Sequence, residues 1–201
     1  MAPGRCRPFG VLDVMILVGS VSVGLGVIRA IFPEIRWDYF ARELQSGDLS
    51  DAIVACMELW LILASPILLG LSAATVAIRL RRPRPSLRRA LRSPGVQGCS
   101  WIVLGFASAI VLLLGWSTLA GPLLNRTVDV LAELPGLLGM ALLVSLPASS
   151  FAIVAGWATA SAFLPRRRAC PGCWIDRLGL AVCGLWCLSS PLPIFFLLVM
   201  F

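Results

Sequence analysis

The sequence predicts an all-α polytopic bundle of about five transmembrane helices, with no soluble domain. Of the 201 residues, 59% are hydrophobic and only 13% are charged, whereas soluble domains contain roughly 25% charged residues. A chain of this length leaves a large share of its surface outside any core, so it could not hide this much apolar surface from water. Five long, almost uncharged segments can bury that surface in a bilayer instead.

Each of these segments is long enough to cross a bilayer, because about 20 residues at 1.5 Å per residue span roughly 30 Å of hydrocarbon. The predicted spans are residues 11–32, 53–80, 99–124, 137–164 and 178–201. We expect Leu134-Pro135-Gly136 to bend the chain just before the fourth span; the alternative is one long, tilted helix. The connecting segments are too short to fold alone, so residues 1–201 are predicted to form a single membrane domain.

The distribution of arginine predicts a cytoplasmic N-terminus and an external C-terminus. In this orientation 13 arginines lie on the inner side and 4 on the outer side, as the positive-inside rule requires. Asp13 and Asp176 are then the inner acidic residues, and the other eight lie outside. No A-x-A cleavage site follows the first span, so we expect the chain to retain it as a helix.

The basic residues also limit the chemistry that the chain can perform. It has no histidine, and all 17 of its basic residues are arginine. Catalytic pairs that use histidine are excluded, as is chemistry that needs a reactive lysine. We therefore predict a protein that is not an enzyme and holds no cofactor. Arginine codons are GC-rich and lysine codons are not, so this bias favours a bacterial protein of the inner, cytoplasmic membrane.

Two connecting segments have patterns of their own. Residues 34–45 place apolar residues at helical spacing around Trp37, which predicts a short outer helix lying in the interface. Residues 79–97 form an arginine-rich cytoplasmic loop. We expect this loop to contact anionic lipid, at on the order of 1 kcal/mol for each arginine near the surface, and not nucleic acid. The predicted lipid contacts are Arg79, Arg81, Arg82, Arg84, Arg88, Arg89 and Arg92.

Small residues at four-residue spacing indicate faces where membrane helices approach closely. The longest stripe lies on the fourth span and contains Ala148, Ala152, Gly156 and Ala160. The first span has a shorter stripe, formed by Ser22, Gly26 and Ala30. Such a face packs either within the monomer or against another subunit, and the sequence leaves both possibilities open.

Arg29 and Glu58 are charged residues at similar shallow depth near the outer ends of the first two spans. A charge at this depth costs up to a few kcal/mol when unpaired, so we predict an intramembrane ion pair. Two alternatives remain. Glu58 could be a proton- or cation-responsive group at the mouth of a pathway, or both side chains could extend to water.

Cys170-Pro171-Gly172-Cys173 is the most reactive-looking motif in the chain. Two cysteines at this spacing can form a redox pair or half of a zinc site. A zinc ribbon needs a second pair of ligands, however, and disulfide-forming membrane enzymes place their motif outside, whereas this one is predicted inside. We expect a turn with incidental cysteines and no metal site, with redox or metal binding through Cys170 and Cys173 as the alternative.

A faint internal similarity relates the second and fourth spans at an offset of 84 residues. It matches Ala74-Thr75 with Ala158-Thr159, Leu80 with Leu164, and Arg82 with Arg166. Such an offset hints at two duplicated helical hairpins in parallel orientation, as occur in some transporters. Four matches in apolar, arginine-rich segments are close to the number expected by chance.

These observations favour a small, non-catalytic membrane protein, acting as an accessory or assembly subunit through its helix faces and its arginine-rich loop. The expected partners are the lipid bilayer, anionic lipid at the cytoplasmic face, and either other membrane subunits or a second copy. One alternative is a small transporter or channel built around the second and fourth spans, which Pro66 and Pro147 should kink. Another is a thiol-redox or metal-binding protein that uses Cys170 and Cys173.

Overall fold

The structure is a computed structural model that describes residues 10–31, 41–42, 45, 49–81, 93–123, 130–163 and 174–193. The described residues contain five long helices and no strand. The helices are α1 (Val11–Ile31), α2 (Leu49–Leu80), α3 (Pro94–Leu123), α4 (Val130–Phe163) and α5 (Trp174–Ser189). Each is long and apolar enough to cross a membrane. The prediction of an all-α membrane bundle with five spans is therefore confirmed.

Helix α3 starts five residues before the predicted boundary at residue 99 because a capping signal precedes its apolar run. The Ser93 hydroxyl accepts a hydrogen bond from the Val96 N–H at 3.4 Å, as serine does at helix N-caps. Pro94 is the first helical residue, where its missing N–H costs nothing. The boundary estimated from hydrophobicity alone overlooked this Ser-Pro pair.

Helix α4 already begins at Val130, before the bend predicted at Leu134-Pro135-Gly136. Helix α4 continues through Pro135 as a single element of 34 residues, which agrees with the alternative of one long helix. A proline inside a helix removes one backbone hydrogen bond, and the surrounding apolar sequence offers no turn that would end the helix. Of the predicted outer helix 34–45, only residues 41, 42 and 45 are described, and these are helical.

Helices α3 and α5 form the centre of the bundle. They run parallel, since Gly95 meets Gly179 and Cys99 meets Cys183 one turn later. A Cβ added at Gly179 would lie 2.8 Å from the backbone carbon of Gly95. Any larger residue at this crossing would push the two helices apart, so glycine sets their distance.

Helices α2 and α4 lie on either side of this central pair, and each packs against both α3 and α5. Helix α1 packs mainly against α2. These two helices are antiparallel: Gly70 faces the Ser20 carbonyl, and Gly24 faces the backbone of Pro66 and Ile67. Helix α1 is thus an edge helix, whereas α3 and α5 each contact all three of the other inner helices.

The main hydrophobic core fills the space between the four inner helices. It is formed by Leu61, Leu68, Cys99, Ile102, Leu146, Ile153, Val182, Cys183 and Trp186. A smaller cluster of Ile78, Val96 and Ile175 lies where α2, α3 and α5 approach the arginine-rich end of the bundle. We use this name for the end that holds the start of α1, α3 and α5 and the last turn of α2.

Candidate functional site

Two carboxylates lie at the arginine-rich end, and each is held by groups from another helix. Asp13, in the first turn of α1, is fully buried. Its Oδ2 accepts a hydrogen bond from the Gly10 N–H at 3.1 Å, and its Oδ1 lies 4.0 Å from a guanidinium nitrogen of Arg81. The sequence analysis predicted no partner for Asp13, and this contact with the end of α2 was missed.

The second carboxylate, Asp176, lies in the first turn of α5. It accepts a hydrogen bond from the Ser93 hydroxyl at the start of α3. The Arg79 guanidinium is close enough for its positive charge to act on the Asp176 carboxylate. Asp13 and Asp176 thus join the starts of α1, α3 and α5 to the end of α2, and this fixes the relative heights of these helices.

Two of the arginines predicted to contact lipid, Arg79 and Arg81, also lie close to these carboxylates. Arg79 is half-buried, and the Arg81 side chain is 42% exposed beside Asp13. Part of their charge is therefore neutralised within the protein. The other predicted lipid contacts lie outside the described residues; they are Arg82, Arg84, Arg88, Arg89 and Arg92.

The structure does not bring Arg29 and Glu58 together. Arg29 is exposed in the last turn of α1, and Glu58 is half-buried in α2. In the part of the chain that the structure describes, no ion pair joins them. Arg29 lies on the exposed side of α1, and with Gly24 level with Pro66 Glu58 lies about one turn farther from the arginine-rich end than Arg29.

The small-residue stripe of α4 lies beside the packed face of that helix, and not at its centre. Ala148 is exposed and Ala152 is half-buried. Another helix comes close at Gly156, since a Cβ there would lie 3.3 Å from Trp101 Nε1. Ala160 falls outside the described side chains. The face that α4 buries is a neighbouring one, formed by Ala141, Leu142, Ser145, Leu146, Ser149 and Ile153.

The small residues of α1 point away from the bundle. Ser22, Gly26 and Ala30 are all exposed, and so is Gly19, which lies on the same stripe. A Cβ added at Gly19 or at Gly26 would meet nothing within 4 Å. We call Gly19, Ser22, Gly26 and Ala30 the small-residue face of α1. The buried glycine of this helix is Gly24, which contacts α2.

Tryptophan–serine hydrogen bonds connect the inner helices. Trp186 on α5 is fully buried, and its Nε1 donates to Ser149 Oγ on α4 at 2.8 Å. Trp60 Nε1 on α2 donates to Ser189 Oγ on α5 at the same distance. Each bond satisfies a polar atom that would be costly inside hydrocarbon, so these pairs fix the order of helices around α5.

An open groove of about 680 Å³ lies between α2 and the end of α5. Its lining is mainly apolar and includes Ile53, Met57, Leu185, Leu188 and Leu192. Ser189 contributes the only hydroxyl among the described lining residues, and it already accepts the bond from Trp60. The groove is therefore suited to hydrocarbon and offers little to a polar solute.

Cys170 and Cys173 lie outside the described residues, so the structure adds nothing on that motif. Two other cysteines meet inside the bundle: the Sγ atoms of Cys99 and Cys183 are 3.9 Å apart and fully buried. The contact between Cys99 and Cys183 was not predicted from the sequence. The signal was present, because the two cysteines are separated by the same 84 residues as the faint internal repeat.

Comparison of the chain with known protein families, with curated proteins and with solved structures finds no match. Function must therefore be inferred from the residues and contacts of the chain itself. Three features provide a basis for that: the small-residue face of α1, the charged contacts at the arginine-rich end, and the buried thiol pair.

Proposed function

We propose that the protein is a non-catalytic subunit that packs against a transmembrane helix of a partner membrane protein through the small-residue face of α1. Without a hydrophobic drive in lipid, helix association depends on close packing, and small residues permit it. Gly19 and Gly26 leave a shallow notch that nothing in the bundle fills. This outward notch is the observation on which the proposal rests.

The burial of α1 supports the same proposal. Only 17% of its span is buried, against 22–39% for the other four. Helix α1 is held from one side, mainly by α2, so its outer side is open to lipid or to another helix. A partner helix on its outer side would supply the packing that the monomer lacks.

The arginine-rich end supports a role at the inner surface. We propose that Arg81 and the loop that follows it contact anionic lipid, because each arginine near such a surface contributes on the order of 1 kcal/mol. The excess of arginine at this end and the absence of lysine favour the bacterial cytoplasmic membrane, with the N-terminus inside. We do not propose nucleic-acid binding for this loop.

Transport is the weaker alternative. The four inner helices are joined by a core of large side chains, among them Trp186, Ile102 and Leu146. The described groove is apolar and opens towards lipid. A solute pathway would need polar groups directed at a passage through the bundle, and these features supply no argument for one.

Site-specific photo-crosslinking in native membranes tests the proposal. A photoreactive residue at Val23, which is 65% exposed beside the small-residue face, is compared with one at Val111, which is 68% exposed on α3. We expect a discrete protein adduct from position 23 and only lipid adducts from position 111.

The adduct must also depend on the notch itself. Leucine at both Gly19 and Gly26 should abolish it, because the added side chains keep a partner helix away. Leucine at Gly115, another glycine with nothing within 4 Å, should leave the adduct intact. A protein adduct that persists in the Gly19→Leu, Gly26→Leu variant contradicts the proposal. An adduct containing two copies of this chain overturns the accessory-subunit role.

A further inference from the structure

The contact between α3 and α5 relates two equivalent halves of the chain. Cys99 Sγ donates to the Gly179 carbonyl, and Cys183 Sγ donates to the Gly95 carbonyl, both at 3.8 Å. The offset of 84 residues that separates Cys99 from Cys183 also separates Gly95 from Gly179. If α3 and α5 were interchanged, each of these hydrogen bonds would take the place of the other. The residues of α3 and α5 at this contact are thus related by a local pseudo-two-fold axis that passes between the two thiols.

We propose that Cys99 and Cys183 form a binding site for one soft monovalent cation, of which Cu(I) is the biological representative. Thiolates are soft ligands and select such ions. The two sulfur atoms are 3.9 Å apart and fully buried, and they face each other across two helices that glycine holds close together. The site belongs to the core of the bundle and is independent of the α1 face.

The number of ligands distinguishes between metals. Among the described residues, no three or more His, Cys, Asp and Glu side chains gather into a group that could hold an ion. Zinc in structural sites takes four protein ligands, so two thiols alone do not suit it. Cu(I) is stable with two sulfur ligands, and Cys99 and Cys183 provide two.

The distances are compatible with such an ion. Two metal–sulfur bonds of about 2.3 Å each in a line would separate the sulfur atoms by about 4.5 Å. The observed 3.9 Å needs only a bent arrangement or a small outward rotation of the side chains. The hydroxyls of Ser72 and Thr75 on α2 lie near the Cys99 sulfur. Each donates to a backbone carbonyl of its own helix, so it would have to turn towards the sulfur to stabilise a thiolate.

The binding reaction must balance in protons and in charge. Binding breaks two S–H bonds, forms two metal–sulfur bonds and releases two protons to water. Two thiolates without a cation would place two negative charges in an apolar core, at a high desolvation cost. With a monovalent ion one negative charge remains. Cys99 lies only about 8 Å along α3 from its first residue, at 1.5 Å per residue, so the ion would enter from the arginine-rich end.

Anaerobic titration of the full-length protein with Cu(I), in competition with a coloured Cu(I) chelator, tests the site. The other five cysteines are first changed to serine, so that only the pair remains; they are Cys6, Cys56, Cys170, Cys173 and Cys187. We expect one ion per chain. Cys99→Ser or Cys183→Ser should each lower the affinity at least 100-fold. Thermal unfolding of the unloaded variants checks that both still fold.

The pH dependence of the Cu(I) affinity distinguishes a metal site from two cysteines that only pack against each other. While both thiols are protonated, the affinity should rise up to about 100-fold per pH unit, since two protons are released for each ion bound. A single thiol would give at most tenfold. X-ray absorption of the loaded protein should show two sulfur neighbours around copper.

Several results would overturn the site. One is the absence of bound copper in the two-cysteine protein; another is binding that neither serine substitution weakens. Release of only one proton for each copper ion bound would also exclude the site, as would oxygen or nitrogen neighbours around copper in the X-ray absorption spectrum. Isolation of the native protein with a disulfide between Cys99 and Cys183 would show that the pair is a crosslink and not an ion site.

Discussion

Single glycines determine how closely the central helices approach. At Gly95, an added Cβ would lie 2.5 Å from the Asp176 carbonyl oxygen and 3.0 Å from the Leu180 nitrogen. Both contacts are with backbone, which cannot rotate away. The sequence contains this glycine, but no periodicity or motif distinguishes it from the glycines that face lipid.

Gly95→Ala should therefore destabilise the bundle by about 1–3 kcal/mol, as overpacking does in other cores. Gly115→Ala on the same helix is the matched control, because nothing lies within 4 Å of its position. That change should be neutral or stabilise the protein by up to about 1 kcal/mol through helix propensity. Unfolding in detergent with increasing denaturant measures both, and an equal effect of the two substitutions would contradict the packing described for α3 and α5.

A second prediction for single residues concerns the charged pairs. In a double-mutant cycle, Asp13→Asn and Arg81→Gln should be coupled by roughly 0.5–1 kcal/mol, the range for a partly exposed ion pair. Arg29→Ala and Glu58→Gln should instead be additive within about 0.5 kcal/mol, as expected for residues that do not interact. Coupling between Arg29 and Glu58 would restore the ion pair that was predicted from sequence.

The contrast between these pairs shows which residue contacts can be predicted. Arg29 and Glu58 were paired from their depth alone, but the register of α1 against α2 places them about one turn apart. No partner was predicted for Asp13, although the arginine-rich end offers it several arginines. Which arginine it meets depends on where α2 ends, and apolar length gives that only approximately.

At the scale of helices, α5 is held by one large buried side chain. Trp186 is fully buried and donates to Ser149 on α4. Trp186→Phe removes this bond and leaves the Ser149 hydroxyl without its donor, so we expect a loss of about 1–3 kcal/mol. Trp116→Phe is the control, because Trp116 is 72% exposed on α3. The same denaturant unfolding in detergent measures both, and equal stability of the two variants would contradict the role of Trp186.

Helix number and type were predictable, because five apolar runs of sufficient length require five helices in a bilayer. Their ends were less predictable. The Ser93-Pro94 cap extends α3 towards the arginine-rich end, and α4 continues across Pro135, because polar caps and tertiary contacts decide where a membrane helix begins. The hydrophobicity of the sequence indicates only the part of each helix that lies in the hydrocarbon of the bilayer.

The whole molecule consists of a core of four helices and an edge helix. Residues 84 positions apart meet at the contact between α3 and α5, although the faint repeat at that offset was no stronger than chance. Helix faces were harder to predict. The stripe on α4 lies beside the packed face, and the small residues of α1 face outward, because spacing identifies a stripe without showing its neighbour.

The central claim is that the small-residue face of α1 binds a partner helix, and native mass spectrometry of the protein in mild detergent tests it most directly. We expect the wild-type chain and the Gly115→Leu variant to carry a second membrane polypeptide in fixed stoichiometry. The Gly19→Leu, Gly26→Leu variant should appear alone. A wild-type protein found only as a monomer or homo-oligomer, or a complex that survives both leucine substitutions, would contradict the claim.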